Sequence, residues 1–172
     1  SSNFHQFNTQ LHSGARVRSA KELLMKPLKD LLVISIEQAV AAPFCTMRLA
    51  ESGARVIKIE RKDGDFARNY DQIESKDSSY FIWLNQGKES LILDLKNKID
   101  KKLLNKLLEK ADVFVLSLAP GSLKKLNLEL NALAKKFPNL IICNISGFSN
   151  KTTAREEKAY DLLIQAEAGL IS

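Results

Sequence analysis

Residues 33–61 read VISIEQAVAAPFCTMRLAESGARVIKIER, and their reading decides the fold. The apolar run 31–36 has the length and content of a buried strand. A loop of small residues follows at 38–42, and Pro43 stands where the first turn of a helix tolerates a missing N–H. Phe44, Met47 and Ala50 recur at helical spacing, and Gly53 is placed to end that helix in a left-handed turn. Residues 55–59 alternate polar and apolar, which predicts a second strand and closes a strand–helix–strand unit. Ligands of such units sit beyond the carboxyl ends of the strands, near the helix N-terminus. Two places answer to that rule: the loop 38–42 and Arg61, one after each strand. Small side chains let a large ligand approach the backbone, and Arg61 supplies a fixed cation. The same small residues also serve close packing of helix on strand, and taken alone that is the simpler reading.

Outward from this unit the pattern repeats. The polar segment 62–78, with Gly64, Asp65 and Arg68, reads as a long loop. Tyr80, Phe81, Trp83 and Leu84 form an apolar cluster assigned to core packing, and 90–95 alternates as a strand. Asn97 is placed to cap a helix whose apolar positions are Ile99, Leu103, Leu104, Leu107, Leu108 and Ala111. A buried strand is predicted at 113–118, ended by Ala119, Pro120 and Gly121, with a short helix at 122–126. Leu130, Leu133, Ala134 and Phe137 mark another helix, stopped by Pro138. A strand at 140–145, a polar loop from Gly147 to residue 157 and a helix from Asp161 complete the chain. Strands alternating with helices predict an α/β fold, a mostly parallel sheet covered by helices on both faces. The strand order stays open.

At 172 residues the chain can bury a real core, and 45% hydrophobic with 27% charged residues is ordinary for a globular domain. The net charge of +6 is spread over helical lysines such as Lys98, Lys101, Lys102 and Lys106 rather than gathered in a stripe. That argues against a nucleic-acid partner and suits a small polyanion. Two cysteines, Cys45 and Cys143, make no disulfide framework, which points to a reducing, cytoplasmic setting. No apolar run approaches membrane-spanning length. There is no GxGxxG after the first strand, no GxxxxGK[ST] and no GxSxG. The only histidines, His5 and His12, fall in residues 1–24, read as a tail or non-native upstream segment, so neither histidine catalysis nor a metal site is expected. The folded part is read as 25–172.

Taken together, EQAVAAPFCTMRLAESGARVIKIER, GDFARNYD, SSYFIWLNQGKESLILDLK, ADVFVLSLAPGSLKKLNL, NLIICNISGFS and AYDLLIQAEAGLIS resemble the class III CoA-transferase family in order and spacing. The resemblance implies a Rossmann-like domain, two chains interlocked as a homodimer, and transfer of coenzyme A between an acyl-CoA and a small carboxylic acid. It matches only the N-terminal part of a family member. By that resemblance Gln38, Ala39, Val40 and Ala41 line the thiol and acyl end of CoA, with Gln38 in the catalytic set. Arg61 lies near the nucleotide, and Leu93 and Lys96 lie around the adenine. The resemblance also makes Ser117, Leu118 and Ala119 CoA contacts, at a turn where relatives often carry Asn-Phe against the base, and Lys125 a CoA contact where Arg is common, keeping the charge but losing the planar fork. Lys158 matches a basic CoA contact and Asp161 an acid that assists catalysis. The attacking Asp is expected downstream of Ser172, so these residues alone are expected to lack the nucleophile. Within the family the glycine-poor loop is similar to that of enzymes acting on branched dicarboxylic acids, such as mesaconyl-CoA transferases. An alternative is a racemase of branched acyl-CoA thioesters; such racemases carry His where Tyr160 stands here. A CoA-binding piece without activity is the other alternative. Simpler roles stand beside each assignment: Asp161 as a helix cap, Lys125 and Lys158 as solvated charges, Arg61 as the partner of Asp63 or Asp65.

Overall fold

The computed structural model describes residues 26–71, 77–149, 151–157 and 159–171; residues 1–24, read from the sequence as a tail and holding both histidines, and Lys158 lie outside them. The elements in chain order are β1 (Leu32–Ile36), α1 (Ala41–Glu51), β2 (Arg55–Glu60), α2 (Ser79–Leu84), β3 (Lys88–Ile92), α3 (Lys98–Leu108), β4 (Val113–Leu116), α4 (Ser122–Leu126), α5 (Leu130–Lys136), β5 (Ile141–Asn144) and α6 (Asp161–Glu167). Single 3-10 turns lie at Phe66–Asn69 and Thr153–Glu156. The sheet has the order β3-β2-β1-β4-β5, and every pair is parallel. The chain therefore winds outward from β1 to β3, then crosses back to lay β4 on the other side of β1. The winding direction reverses between β1 and β4, which opens a crevice at their carboxyl ends.

Side chains alternate across each strand, so register sorts them by face. Ile34 and Ile36 share one face with Ile57, Ile59, Phe114 and Leu116. They pack on Leu104 and Leu108 of α3, Leu133 of α5, and Phe137. The opposite face carries Val33, Val56 and Val115, which meet Ala42 and Ala50 of α1. On this second face the register also places Ser35, Lys58, Lys88 and Ser90, with Glu37 and Glu60 at its rim. One side of the sheet is oily and the other is ionic towards its carboxyl end.

The termini of α1 and α3 follow the expected signals. Gly53 has φ +105°, its N–H donates to Ala50 O at 2.9 Å, and Ala54 N donates to Leu49 O at 3.1 Å. Those two bonds are a Schellman cap. Asn97 accepts the Ile99 N–H at 2.8 Å and caps α3. Several boundaries differ from expectation. Helix α1 begins at Ala41, so the loop after β1 is shorter than 38–42. Strand β3 runs from Lys88 to Ile92 rather than over 90–95, because the Asp94 carboxylate accepts the Lys96 N–H at 2.9 Å and turns the chain early. Strand β4 stops at Leu116, although Ser117 N still donates to Ile36 O at 2.9 Å. The expected loop 62–78 holds a 3-10 turn and the buried residues Asp65 and Ala67. The aromatic cluster divides: Phe81 and Leu84 are buried, whereas Tyr80, Ile82 and Trp83 stay exposed. A six-residue helix offers too narrow a face to bury all of them, and Tyr80 and Trp83 instead stack edge to face at 5.5 Å.

Candidate functional site

Two clefts open at the carboxyl edge of the sheet, and they meet at the reversal point. The larger, about 420 Å³, is walled by the ends of β1 and β2 and the turns after β2 and β3; Arg61, Lys62 and Lys96 stand on it with Asp63 and Asp94, above Leu93 and Leu95. The smaller, about 290 Å³, is bounded by the turn Ser117 to Gly121, the chain after β5, Arg155 and Tyr160. Gln38 and Leu118 belong to both walls. These sizes fall in or close to the range of roughly 300–1,000 Å³ typical of small-molecule sites.

Of the residues singled out in the sequence, Gln38, Arg61, Leu93, Lys96 and Leu118 come together on the larger cleft. Ser117 and Ala119 join Gln38 and Leu118 on the smaller. Ala39, Val40, Ala41, Lys125 and Asp161 line neither. Val40 is the N-cap of α1 and offers no side-chain cap, and Ala41 is its first helical residue. Lys125 is exposed on α4, although its neighbour Leu126 reaches the larger cleft. Asp161 opens α6 without capping it: Tyr160 is the N-cap, and the Asp161 carboxylate accepts Gln165 Nε2 at 2.6 Å. Arg61 forms no ion pair among the described residues. Asp65, considered as its partner, is held by Lys58 at 2.7 Å.

Beneath the loop after β1 lies a buried ionic layer that sequence reasoning missed. Lys88 Nζ donates to Glu37 Oε1 at 2.8 Å, Pro43 O at 2.9 Å and Asn85 Oδ1 at 3.2 Å. Lys58 Nζ donates to Asp65 Oδ2 at 2.7 Å and to Asn85 Oδ1 at 2.9 Å. Thr46 Oγ1 lies within hydrogen-bond distance of both Glu37 oxygens, at 2.9 and 2.8 Å. Arg68 donates to Glu60 at 2.9 Å and to Asp77 at 2.7 Å, with its guanidinium 3.8 Å from the Phe81 ring centre. Lys58, Asp65, Lys88 and Glu37 are at most 2% exposed at the side chain. Isolated charges at that depth are too costly to persist, so each is paired and hydrogen-bonded. Burial pushes the Lys88 ammonium below the ordinary lysine range, against the opposing pull of Glu37. Burial is likewise the main cause that raises the Cys45 thiol, with Cys143 and Glu37 adding to it, so Cys45 is a poor nucleophile at neutral pH. The available signal was the spacing Val56, Lys58, Glu60: in a sheet covered on both faces, alternation does not mean solvent.

An open parallel sheet with paired clefts at its reversal point is the doubly wound α/β architecture, in which ligands sit beyond the carboxyl ends of the strands. CoA-transferase family III matches residues 28–172, and the chain belongs to that family. It is 37% identical over 146 residues to an acetyl-CoA:oxalate CoA-transferase of Acetobacter aceti, covering 84% of this chain and 38% of that protein. It is 36% identical over 156 residues to a succinyl-CoA:mesaconate CoA-transferase of Haloarcula hispanica, covering 86% and 39%. The crystal structure of a CAIB/BAIF family protein from Brucella suis superposes with a TM-score of 0.78 at 31% identity, over 84% of this chain and 39% of that one. The chain thus spans about two fifths of the length of the relatives it matches. Among the described residues no helix is long and apolar enough to cross a membrane.

Proposed function

We propose that this chain forms the CoA-binding part of a transferase that moves coenzyme A between an acyl-CoA thioester and a carboxylic acid. The observation that carries the reading is the meeting of the two clefts at Gln38 and Leu118, at the reversal point of the sheet. The larger cleft, with Arg61, Lys62 and Lys96 at its rim and Leu93 and Leu95 in its wall, suits the phosphates and the adenine. The thiol end then reaches the junction at Gln38; Ser117 and Ala119, expected from the sequence as CoA contacts, are assigned instead with Arg155 to the smaller cleft that takes the exchanging acid. The relatives are named for oxalate and mesaconate, and a dicarboxylic acceptor is proposed here. Asp161 and Lys158 are assigned an assisting acid and a basic contact. The whole protein is assigned a cytoplasmic homodimer.

The proposed chemistry is covalent, with the attacking Asp carboxylate C-terminal to residue 172. It attacks the thioester carbonyl and expels CoA thiolate, leaving a mixed anhydride. The thiolate attacks the aspartyl carbonyl, releases the donor acid and forms an aspartyl thioester. The acceptor carboxylate displaces the thiolate to give a second anhydride, and thiolate attack at the acceptor's acyl carbonyl delivers the new acyl-CoA and frees the Asp. CoA stays bound throughout, which is the task of the larger cleft. Tyr160, without an imidazole, counts against proton abstraction of the racemase kind.

Calorimetric titration with CoA tests the reading. Saturable binding is expected, weakened about tenfold or more in Arg61→Ala by loss of a charge-assisted contact of about 1.5–3 kcal/mol. Absence of binding to the unaltered chain overturns it.

A further inference from the structure

Ala39 has φ +61°, a left-handed conformation that an alanine rarely adopts. The only other non-glycine residue with positive φ among the described residues is Asn127, an amino acid that tolerates it. Something must hold Ala39 there. Its N–H donates to Asp65 Oδ1 at 3.2 Å. The same oxygen accepts Ala67 N at 3.0 Å, and Oδ2 is held by Lys58 Nζ at 2.7 Å. Asp65 is 2% exposed, so water does not compete for these bonds. On the far side of the loop, Lys88 holds Pro43 O and Glu37 together. Gln38, the residue shared by the two clefts, lies between these anchors.

We propose that Asp65 is a positioning residue: its buried carboxylate clamps the Ala39 amide, bends the chain through the left-handed region and so holds Gln38 at the junction. The clamp is a property of the fold; only its consequence for CoA rests on the function proposed above. Asp65 acts through the backbone of Ala39, while Lys58 fixes the carboxylate.

Two double variants isolate the acceptor. Lys58→Met with Asp65→Asn, and Lys58→Met with Asp65→Leu, both remove the buried ion pair, but only the first keeps an oxygen for the Ala39 amide. The readouts are the strong intraresidue HN–Hα cross-peak that positive φ produces at Ala39, and CoA affinity by calorimetry. The Asn variant is expected to keep the cross-peak, and the Leu variant to lose it and bind CoA at least about tenfold more weakly. Adding Ala39→Gly to the Leu variant removes the Cβ penalty and is expected to recover about threefold or more of that loss. Persistence of the cross-peak in the Leu variant, or, where the unaltered chain binds CoA, no recovery with glycine, overturns the clamp. If the Leu variant does not fold, Ala39→Val and Ala39→Gly test the left-handed turn with the ionic layer intact: valine is expected to lose the cross-peak and, where the unaltered chain binds CoA, to bind it at least about tenfold more weakly than glycine, and a cross-peak retained in the valine variant overturns the proposal. A chain that shows the cross-peak pattern yet binds no CoA supports the clamp and overturns the CoA reading, so the two fail separately.

Discussion

Lys88 shows how a single buried charge is tolerated at the edge of this sheet. Its side chain is 2% exposed, its ammonium is bonded to Glu37, Pro43 and Asn85, and burial still depresses its proton affinity. A base with a folded-state value below its unfolded value of 10.5 adds stability above 10.5 and forfeits it as pH falls through the folded value. Unfolding free energy therefore climbs with pH in the interval just below 10.5. Lys88→Met is expected to abolish that climb and to lower stability at neutral pH by about 3–5 kcal/mol, since it leaves Glu37 buried without its cation. The combined Glu37→Gln and Lys88→Met variant is expected to regain part of the loss. Urea unfolding across a pH series measures both; an unchanged pH slope in Lys88→Met contradicts the assignment. At this scale the sequence was least informative. Lys58 and Lys88 look like any surface lysine in a strand, and only the sheet register puts them on a covered face.

Among the elements, the strand–helix–strand unit from β1 to β2 was the most legible, because its signals are local. Gly53 ends α1 as its position predicted, with a φ that a side chain resists. A Cβ built there would lie 2.2 Å from the Cβ of Lys26, so Gly53→Ala adds a clash to the left-handed penalty of roughly 1–2 kcal/mol. A stability loss of about 2 kcal/mol is expected by thermal or urea unfolding, and a loss below about 0.5 kcal/mol would refute the strained-cap account. Helix α3 was also readable, but its apolar stripe is narrower in place than in sequence: Leu104 and Leu108 are buried, while Ile99 is 74% exposed. Ile99 sits in the first turn, at the end of the helix where the chain leaves the sheet edge, beside the exposed turn around Asp94. Strand ends were misplaced where a side chain intervened, as Asp94 does after β3.

For the molecule as a whole, the consequence of strand order is that residues 80 positions apart share one wall. Gln38 follows β1 and Leu118 follows β4, and both clefts need both residues. Leu118→Trp is expected to fill the junction and lower CoA affinity by about tenfold or more, because Leu118 is only partly buried and its enlargement intrudes on the clefts rather than on the core. Calorimetry with a melting curve checks this. Unchanged affinity with an unchanged melting temperature would place the ligand elsewhere.

By itself the sequence determined the class of fold, the helix caps and the basic residues near the strand ends, because hydrophobic period, glycine placement and capping act over a few residues. Its motifs, read together, also pointed to the family that the comparisons then showed. Tertiary structure alone decided the order β3-β2-β1-β4-β5, and with it the junction at Gln38 and Leu118. It alone decided that Asp65 would hold Ala39 and that Lys58 and Lys88 would be buried. Those features depend on pairings between distant strands and on the low dielectric that the assembled layers create, and neither is written in any local run of residues.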